Sequence, residues 1–246
     1  MLDAVILSDL HLGSENCQAR QLCELLEGIA DGSPLTARII LNGDVFDSID
    51  FRRLKKTHWK VLSLIRKLSD RLEIVWICGN HDGSAEIVSH LLGVRVEDEY
   101  VLTSGGRRVL LFHGHIYDDF LDNHPILSWF GDCIYALLQW IDRTHHLAKV
   151  AKKGSKTFLR CAKKIEEQAI ARAAREGCDI VCCGHTHHAV VNTGGPVHYF
   201  NSGCWTERPC TYLTIEDGLI ELHTFQPTDE TADTFAETEA DAVAAR

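Results

Sequence analysis

The sequence predicts an α/β protein built on a largely parallel sheet. Two observations lead there. Short apolar runs alternate with stretches of helical spacing, and most of these runs stop abruptly at Gly, Asp, Asn or His. Ala4–Leu7 reads as a buried strand ending at Ser8-Asp9. Ala19–Ile29 repeats apolar residues at helical intervals. Ala37–Leu41 is a second strand, closed by Asn42-Gly43-Asp44, and Trp59–Leu68 a second helix. Glu73–Cys78 is a third strand, closed by Gly79-Asn80-His81-Asp82. Such alternation pairs strands in parallel, with helices covering the sheet.

The second half changes character. Val109–Phe112 is a strand ending at His113-Gly114-His115, and residues 118–176 are helical in pattern. Ile180–Cys183 follows, ending at Gly184-His185-Thr186-His187. Short strands are expected at Ala189–Asn192, Val197–Phe200, Thr211–Ile215 and Leu219–Thr224, the last two joined by a hairpin at Glu216-Asp217-Gly218. One domain is expected over 1–226, with a helical insert at about 118–176. Residues 227–246, rich in Ala, Thr and acids, read as a disordered tail.

Composition narrows the function classes. A chain of 246 residues, 45% hydrophobic and 24% charged, is neither disordered nor fibrous. Its net charge of −10 disfavours a general nucleic-acid binder. Ten cysteines without a CxxC pair, and Met1 leading almost directly into a strand, point to a reducing cytoplasm rather than a secreted protein. There is also no apolar window long enough to span a bilayer.

The chemistry gathers at strand ends. Asp9 and His11, Asp44, Asn80, His113, and His185 with His187 each follow a strand. The carboxyl edge of an open α/β sheet is where ligands bind. Carboxylate oxygen with imidazole nitrogen is a donor mix for Mn, Fe or Zn. Seven donors exceed one tetrahedral ion and suit two ions that share a carboxylate. Each piece alone is common in proteins. The ordered set, every member at a strand end, is specific.

Asp9-Leu10-His11, Gly43-Asp44, Gly79-Asn80-His81-Asp82, His113-Gly114-His115 and Gly184-His185-Thr186-His187 together resemble the signature blocks of the calcineurin-like metallophosphoesterases. The resemblance implies a four-layer αββα sandwich with an inserted helical lid. It implies two divalent ions, Mn²⁺ in most members, with Fe or Zn as alternatives. One ion would take Asp9, His11, Asp44 and His187. The other would take Asp44, Asn80, His113 and His185, with Asp44 bridging. Paired dications acidify a water and neutralise charge developing on phosphate. His81 would contact phosphate or protonate the leaving oxygen, with Asp82 orienting it; Asn80 and His81 would both touch substrate.

The insert bears on the substrate. Ile126–Ile141 reads ILSWFGDCIYALLQWI, apolar over more of its girth than a solvent-facing helix allows. Residues 143–164 follow with eight bases and no acid, among them Lys149, Lys152, Lys153, Lys156 and Arg160. An apolar helix beside a basic run suits acyl chains, an anionic membrane surface or a diphosphate. Asp118 opens the insert near the site and is a candidate substrate contact. The lid, with Tyr199-Phe200-Asn201-Ser202-Gly203-Cys204-Trp205, resembles the UDP-2,3-diacylglucosamine hydrolases. That resemblance implies cleavage of a lipid-linked nucleotide diphosphate, giving 2,3-diacylglucosamine 1-phosphate and UMP. It also implies a peripheral place on the inner face of the cytoplasmic membrane. The chain departs from that group at His81, where many members carry Arg, and at His115, where Asp is common. A soluble phosphodiesterase or phosphatase acting on nucleotides, using the insert to dimerise, is the alternative. A non-catalytic scaffold is disfavoured by the filled donor set.

Overall fold

The computed structural model describes residues 1–83, 93–118 and 156–227. Most of the segment expected to form a helical lid, including Lys149, Lys152 and Lys153, and the tail from 228 expected to be disordered lie outside the described residues.

Strands β1 (Ala4–Leu7), β2 (Arg38–Asn42), β3 (Glu73–Ile77) and β4 (Arg95–Glu97) run parallel in that order. The antiparallel pair β10 (Thr211–Glu216) and β11 (Leu219–Thr224) joins beside β1, giving a six-stranded sheet. A second, five-stranded sheet has the order β5 (Glu99–Ser104), β6 (Arg107–Phe112), β7 (Ile180–Cys183), β9 (His198–Asn201), β8 (Val190–Asn192). Its central strands β6, β7 and β9 are parallel.

Helices α1 (Ala19–Ala30) and α2 (Lys56–Leu68) cover the first sheet. Leu22, Leu26 and Ile29 of α1 recur at helical intervals and meet Val61, Leu62 and Ile65 of α2 in one cluster with Leu7, Leu41 and Trp76. Between the sheets lie Ile6, Ile40, Val75, Leu111, Ile180, Phe200 and Leu213. On the far face, α3 (Lys156–Arg175) lays Ala169 and Ala173 against Leu110, Val181 and Tyr199, small side chains that let the helix come close. The four layers are helix pair, sheet, sheet, helix. Every residue of β1 and β7 is buried, as strands covered on both faces must be.

Several elements differ from the sequence reading. The strands β4 and β5 were not expected, and within 118–176 the described helix is Lys156–Arg175, preceded by a single 3₁₀ turn at His115–Tyr117. β5 and β6 form a hairpin around Gly105-Gly106, at φ of 53° and 77°. Both turn residues are left-handed, as a two-residue turn matched to strand twist requires. A Cβ on Gly105 would overlap the Asp217 backbone in the neighbouring hairpin turn, so the two turns lock together.

Leu111 lies fully buried between the sheets. Leu111→Ala is expected to cost about 2–5 kcal/mol in denaturant unfolding; a loss well below 1 kcal/mol would show that the two sheets do not share this core.

Candidate metal centre

The parallel strands of both sheets deliver their carboxyl ends to one edge, and cross-sheet hydrogen bonds close it. Asn42 Nδ2 donates to the Cys182 carbonyl at 3.4 Å, and the His185 N–H donates to Asp9 at 3.0 Å. Ser8 and Ser202 hydroxyls pair at 2.6 Å. Where the chain leaves each strand it turns sharply. Asp9, His11, Asp44, His185 and His187 have φ of 54°, 47°, 52°, 64° and 56°. Outside glycine, the only other described residue with positive φ is Asp217, in a hairpin turn. Left-handed backbone costs an L-residue roughly 1–2 kcal/mol. Concentrating it on five proposed ligands is the pattern of a site held under strain for function.

The ligand atoms form two groups, Asp9 with His11 and His187, and Asp44 with His113 and His185, each within 4.8 Å. His187 Nε2 lies 3.2 Å from Asp9 Oδ1 and 3.1 Å from His11 Nε2. Asp44 Oδ2 lies 3.1 Å from His113 Nε2 and 3.7 Å from His11 Nε2, so one carboxylate reaches into both groups. Its other oxygen accepts the His81 backbone N–H at 3.0 Å. A Cβ added at Gly79 would overlap the Asp44 carboxylate, so only glycine lets the β3 loop pass there.

The imidazoles are held from behind. His113 Nδ1 faces the Asn42 carbonyl at 2.9 Å, His11 Nδ1 lies 3.4 Å from Asp47 Oδ1, and His187 Nδ1 lies 3.3 Å from Thr206 Oγ1. His185 is turned the other way, with Nε2 held by Asp118 Oδ2 at 3.0 Å. Ring nitrogens that face acceptors carry the proton, leaving the opposite nitrogen as a lone pair. Metal-binding histidines are oriented in just this manner. Two consequences test whether these residues fit metal ions. His11 Nε2 and His187 Nε2 lie 3.1 Å apart, so with both Nδ1 atoms protonated two lone pairs face one another. Buried His113 Nε2 lies 3.1 Å from the Asp44 carboxylate, a pair that in the metal-free protein shares a proton a metal ion would displace. Carboxylate oxygens and imidazole nitrogens thus converge at proton-sharing distances that a divalent cation can occupy in the proton's place, so the donor set fits divalent ions.

Charge follows the same logic. Burial alone would raise the Asp9 carboxyl, but His187 and His113 outweigh it and hold it at about 2. The Asp44 carboxyl is likewise pushed up by burial and pulled down further by His113 and His11. Burial would lower His113, yet Asp44 and Asp9 raise it to about 9. His115, whose Nδ1 is buried without a partner, has its ring tilted against that of His113 at 5.5 Å; burial and its neighbouring histidines lower it to about 4.

Other predicted residues fall into place differently. Asn80 is exposed in the β3 loop between Gly79 and His81. His81 is exposed at the site mouth, its ring edge-on to His11 at 5.1 Å and Nδ1 held by the Asp47 carbonyl at 3.0 Å. Asp82 does not orient His81, contrary to expectation. It is buried and accepts from the Phe46 and Gly79 N–H groups, each at 2.9 Å, and from Trp76 Nε1 at 3.3 Å. Successive residues of the tight loop face opposite ways, so Asp82 braces the loop from beneath. Asp118 is engaged by His185. Lys156 opens α3, and Arg160 is exposed on it. His188 donates its backbone N–H to Thr186 Oγ1 at 3.4 Å.

Sequence reasoning missed Asp47, Asn42, Thr206 and Cys204. Asp47 binds Arg53 Nη1 at 2.6 Å and serves both His11 and His81. Its signal was its position three residues after Asp44. Cys204 is buried against His187 and Thr206; burial pushes its thiol up, and those two neighbours bring it below the usual value.

Two packed sheets, with two carboxylate–imidazole groups at their shared carboxyl edge, are the arrangement of a metallophosphoesterase. The chain belongs to the calcineurin-like phosphoesterase superfamily, whose domain matches residues 2–217. It is accordingly a metal-dependent phosphoester hydrolase. No curated protein matches the sequence. Among solved structures, it is similar to a conserved uncharacterised protein of Streptococcus pneumoniae TIGR4, described as a predicted phosphoesterase, at 17% identity over 92% of this chain and 94% of that one, TM-score 0.43. It is also similar to an archaeal phosphodiesterase at 15% identity over 90% and 98%, TM-score 0.46. A Vps29 single mutant from Entamoeba histolytica matches at 14% identity over 91% and 97%, TM-score 0.46.

Two outcomes are expected. Gly79→Ala displaces the Asp44 carboxylate, so metal uptake and hydrolysis should both fall sharply; wild-type uptake in that variant would show that the loop is not confined by Asp44. Below about pH 9 the metal-free protein holds a proton on His113 that a metal ion must displace. Calorimetry in buffers of differing ionisation enthalpy should therefore record proton release on Mn²⁺ uptake at neutral pH, fading above that value. Release that did not change with pH would contradict the pairing of His113 with Asp44.

Proposed function

We propose that this protein uses two divalent ions, Mn²⁺ foremost, to hydrolyse the diphosphate bond of a lipid-linked nucleotide, UDP-2,3-diacylglucosamine or a close relative. The observation that carries the dimetal chemistry is Asp44 Oδ2 lying 3.1 and 3.7 Å from histidines of the two donor groups. Asp9, His11, Asp44 and His187 would hold one ion, and Asp44, Asn80, His113 and His185 the other, with Fe or Zn as alternatives to Mn. Bound there, the ions supply an acidified water and neutralise charge on the phosphate oxygens.

The chain's own residues do the rest. Outer partners fix the four imidazoles, so little reorganisation is needed as charge develops. His81 stands at the mouth with Nδ1 held by a carbonyl, which leaves Nε2 to contact phosphate or carry a proton to the leaving oxygen. Asp82 keeps the loop that presents it rigid.

Support for the lipid substrate comes from the sequence between Asp118 and Arg160: an apolar, aromatic stretch followed by Lys149, Lys152, Lys153, Lys156 and Arg160. The apolar part suits acyl chains, and the bases suit a diphosphate or anionic headgroups. This reading makes the protein a peripheral enzyme on the cytoplasmic face of an anionic membrane, with no nucleic-acid partner. No helix among the described residues is long and apolar enough to cross a membrane.

Mn²⁺-loaded protein is expected to release UMP and the acylated sugar phosphate from UDP-2,3-diacylglucosamine in mixed micelles, read by mass spectrometry. Asp44→Ala and His113→Ala should abolish this. If bis-p-nitrophenyl phosphate is cleaved and the lipid substrate is not, the phosphoesterase stands and the lipid assignment falls. His81→Ala should lower kcat by about 10²–10⁴-fold on the lipid substrate and much less on p-nitrophenyl esters, whose leaving group needs no proton. Equal losses on both would argue against proton transfer by His81.

A further inference from the structure

Three of the four ligand imidazoles are backed by groups that can only accept a hydrogen bond: the Asp47 carboxylate behind His11, the Asn42 carbonyl behind His113 and the Asp118 carboxylate behind His185. Each therefore admits only an N–H opposite it. His187 is different. Its Nδ1 faces the Thr206 hydroxyl at 3.3 Å, and a hydroxyl can donate as well as accept. Were Thr206 to donate, His187 Nδ1 would carry the lone pair. Nε2 would then carry the proton, aimed at Asp9 and His11, and the ring could not bind a cation there.

The direction of that hydroxyl is set by its other neighbour. Thr206 Oγ1 lies 3.4 Å from Cys204 Sγ and donates to it. The sulfur also accepts the Thr206 backbone N–H and is itself hydrogen-bonded to His187, which favours the proton on the His187 nitrogen facing this pair; Cys204 is only 4% exposed, so water does not compete for it. The backbone holds the pair in place. Trp205, between them, is fully buried, and its N–H donates to the Asp9 carbonyl at 3.0 Å. With Trp205 packed into the core, Cys204 and Thr206 both turn toward His187.

We propose that Cys204 and Thr206 form a positioning pair that fixes His187 in its ligating tautomer: His187 Nδ1–H donates to Thr206, Thr206 donates to Cys204, and His187 Nε2 is left as the lone pair beside Asp9 and His11. This inference rests on the dimetal reading above. The pair acts on one ion of the two, because His187 belongs only to the Asp9–His11 group.

The test is metal binding, read by atomic emission for stoichiometry and by competition with a fluorescent chelator for affinity. Wild-type protein should take up two Mn²⁺ ions. Thr206→Val keeps the shape and removes the hydroxyl; it should weaken one ion by about 10–100-fold and leave the other unchanged. Thr206→Ser should restore wild-type affinity. Cys204→Ala, which leaves the hydroxyl undirected, should weaken the same ion, and Cys204→Ser should recover it. In zinc-loaded, nitrogen-15-labelled protein, the His187 Nδ1–H should give a slowly exchanging resonance in wild type that exchanges fast in Cys204→Ala. Unchanged affinity for both ions in natively folded Thr206→Val and Cys204→Ala would overturn the role of the pair, as would a fast-exchanging His187 Nδ1–H in wild type. Wild-type protein that takes up no metal would overturn the dimetal reading itself, a failure visible before any substitution is made.

Discussion

The carboxylate of Asp44 is the group through which the two donor sets meet. It lies between His11 and His113, at 3.7 and 3.1 Å, and accepts the His81 N–H with its second oxygen. It is 2% exposed, so its charge is taken out of water and must be balanced locally. The surroundings meet that demand in concert: β2 ends so that Asp44 turns left-handed, the β3 loop passes it at a glycine, and the second sheet brings His113 against it. The two-sheet architecture can be understood as the scaffold that lets one carboxylate face imidazoles arriving from opposite sheets.

The same constraint explains where strain and polarity are tolerated. Five residues with left-handed backbone would be a liability in a hydrophobic core. Here they sit directly beyond buried strands whose apolar packing holds them, Ile6 and Leu7 before Asp9 and Cys182 and Cys183 before His185. Stability from three apolar layers is spent at one edge. The buried hydrogen bonds of Asp82 to the 44–47 and 79–82 loops serve that edge too, tying the loop that carries His81 to the loop that carries Asp44.

Much of this was legible from residue order. β1, β7 and β11 lie where the apolar runs place them, and the ligands follow because each stands within a few positions of a strand end. β4 and β5 were not legible: Arg95–Glu97 is a short sheet-edge strand without an apolar run, and Glu99–Ser104 alternates weakly. The Gly105-Gly106 pair was the missed hairpin signal. Outer partners were harder still. Asp118 and Thr206 come from segments 67 and 19 residues away from the histidines they hold, and no periodicity connects them. Asp82 shows the opposite case: it adjoins His81 in sequence, yet its carboxylate turns inward to the Phe46 and Gly79 N–H groups. The insert proposed to recognise substrate shows its apolar and basic halves in the sequence as composition alone.

The central claim is that two ions flank Asp44. The most direct measurement is anomalous diffraction from crystals grown with Mn²⁺, collected on both sides of the manganese absorption edge. The account predicts two peaks about 3.5–4 Å apart, one beside Asp9, His11 and His187 and one beside His113 and His185, with Asp44 between them. A single peak, or peaks away from Asp44, would contradict it.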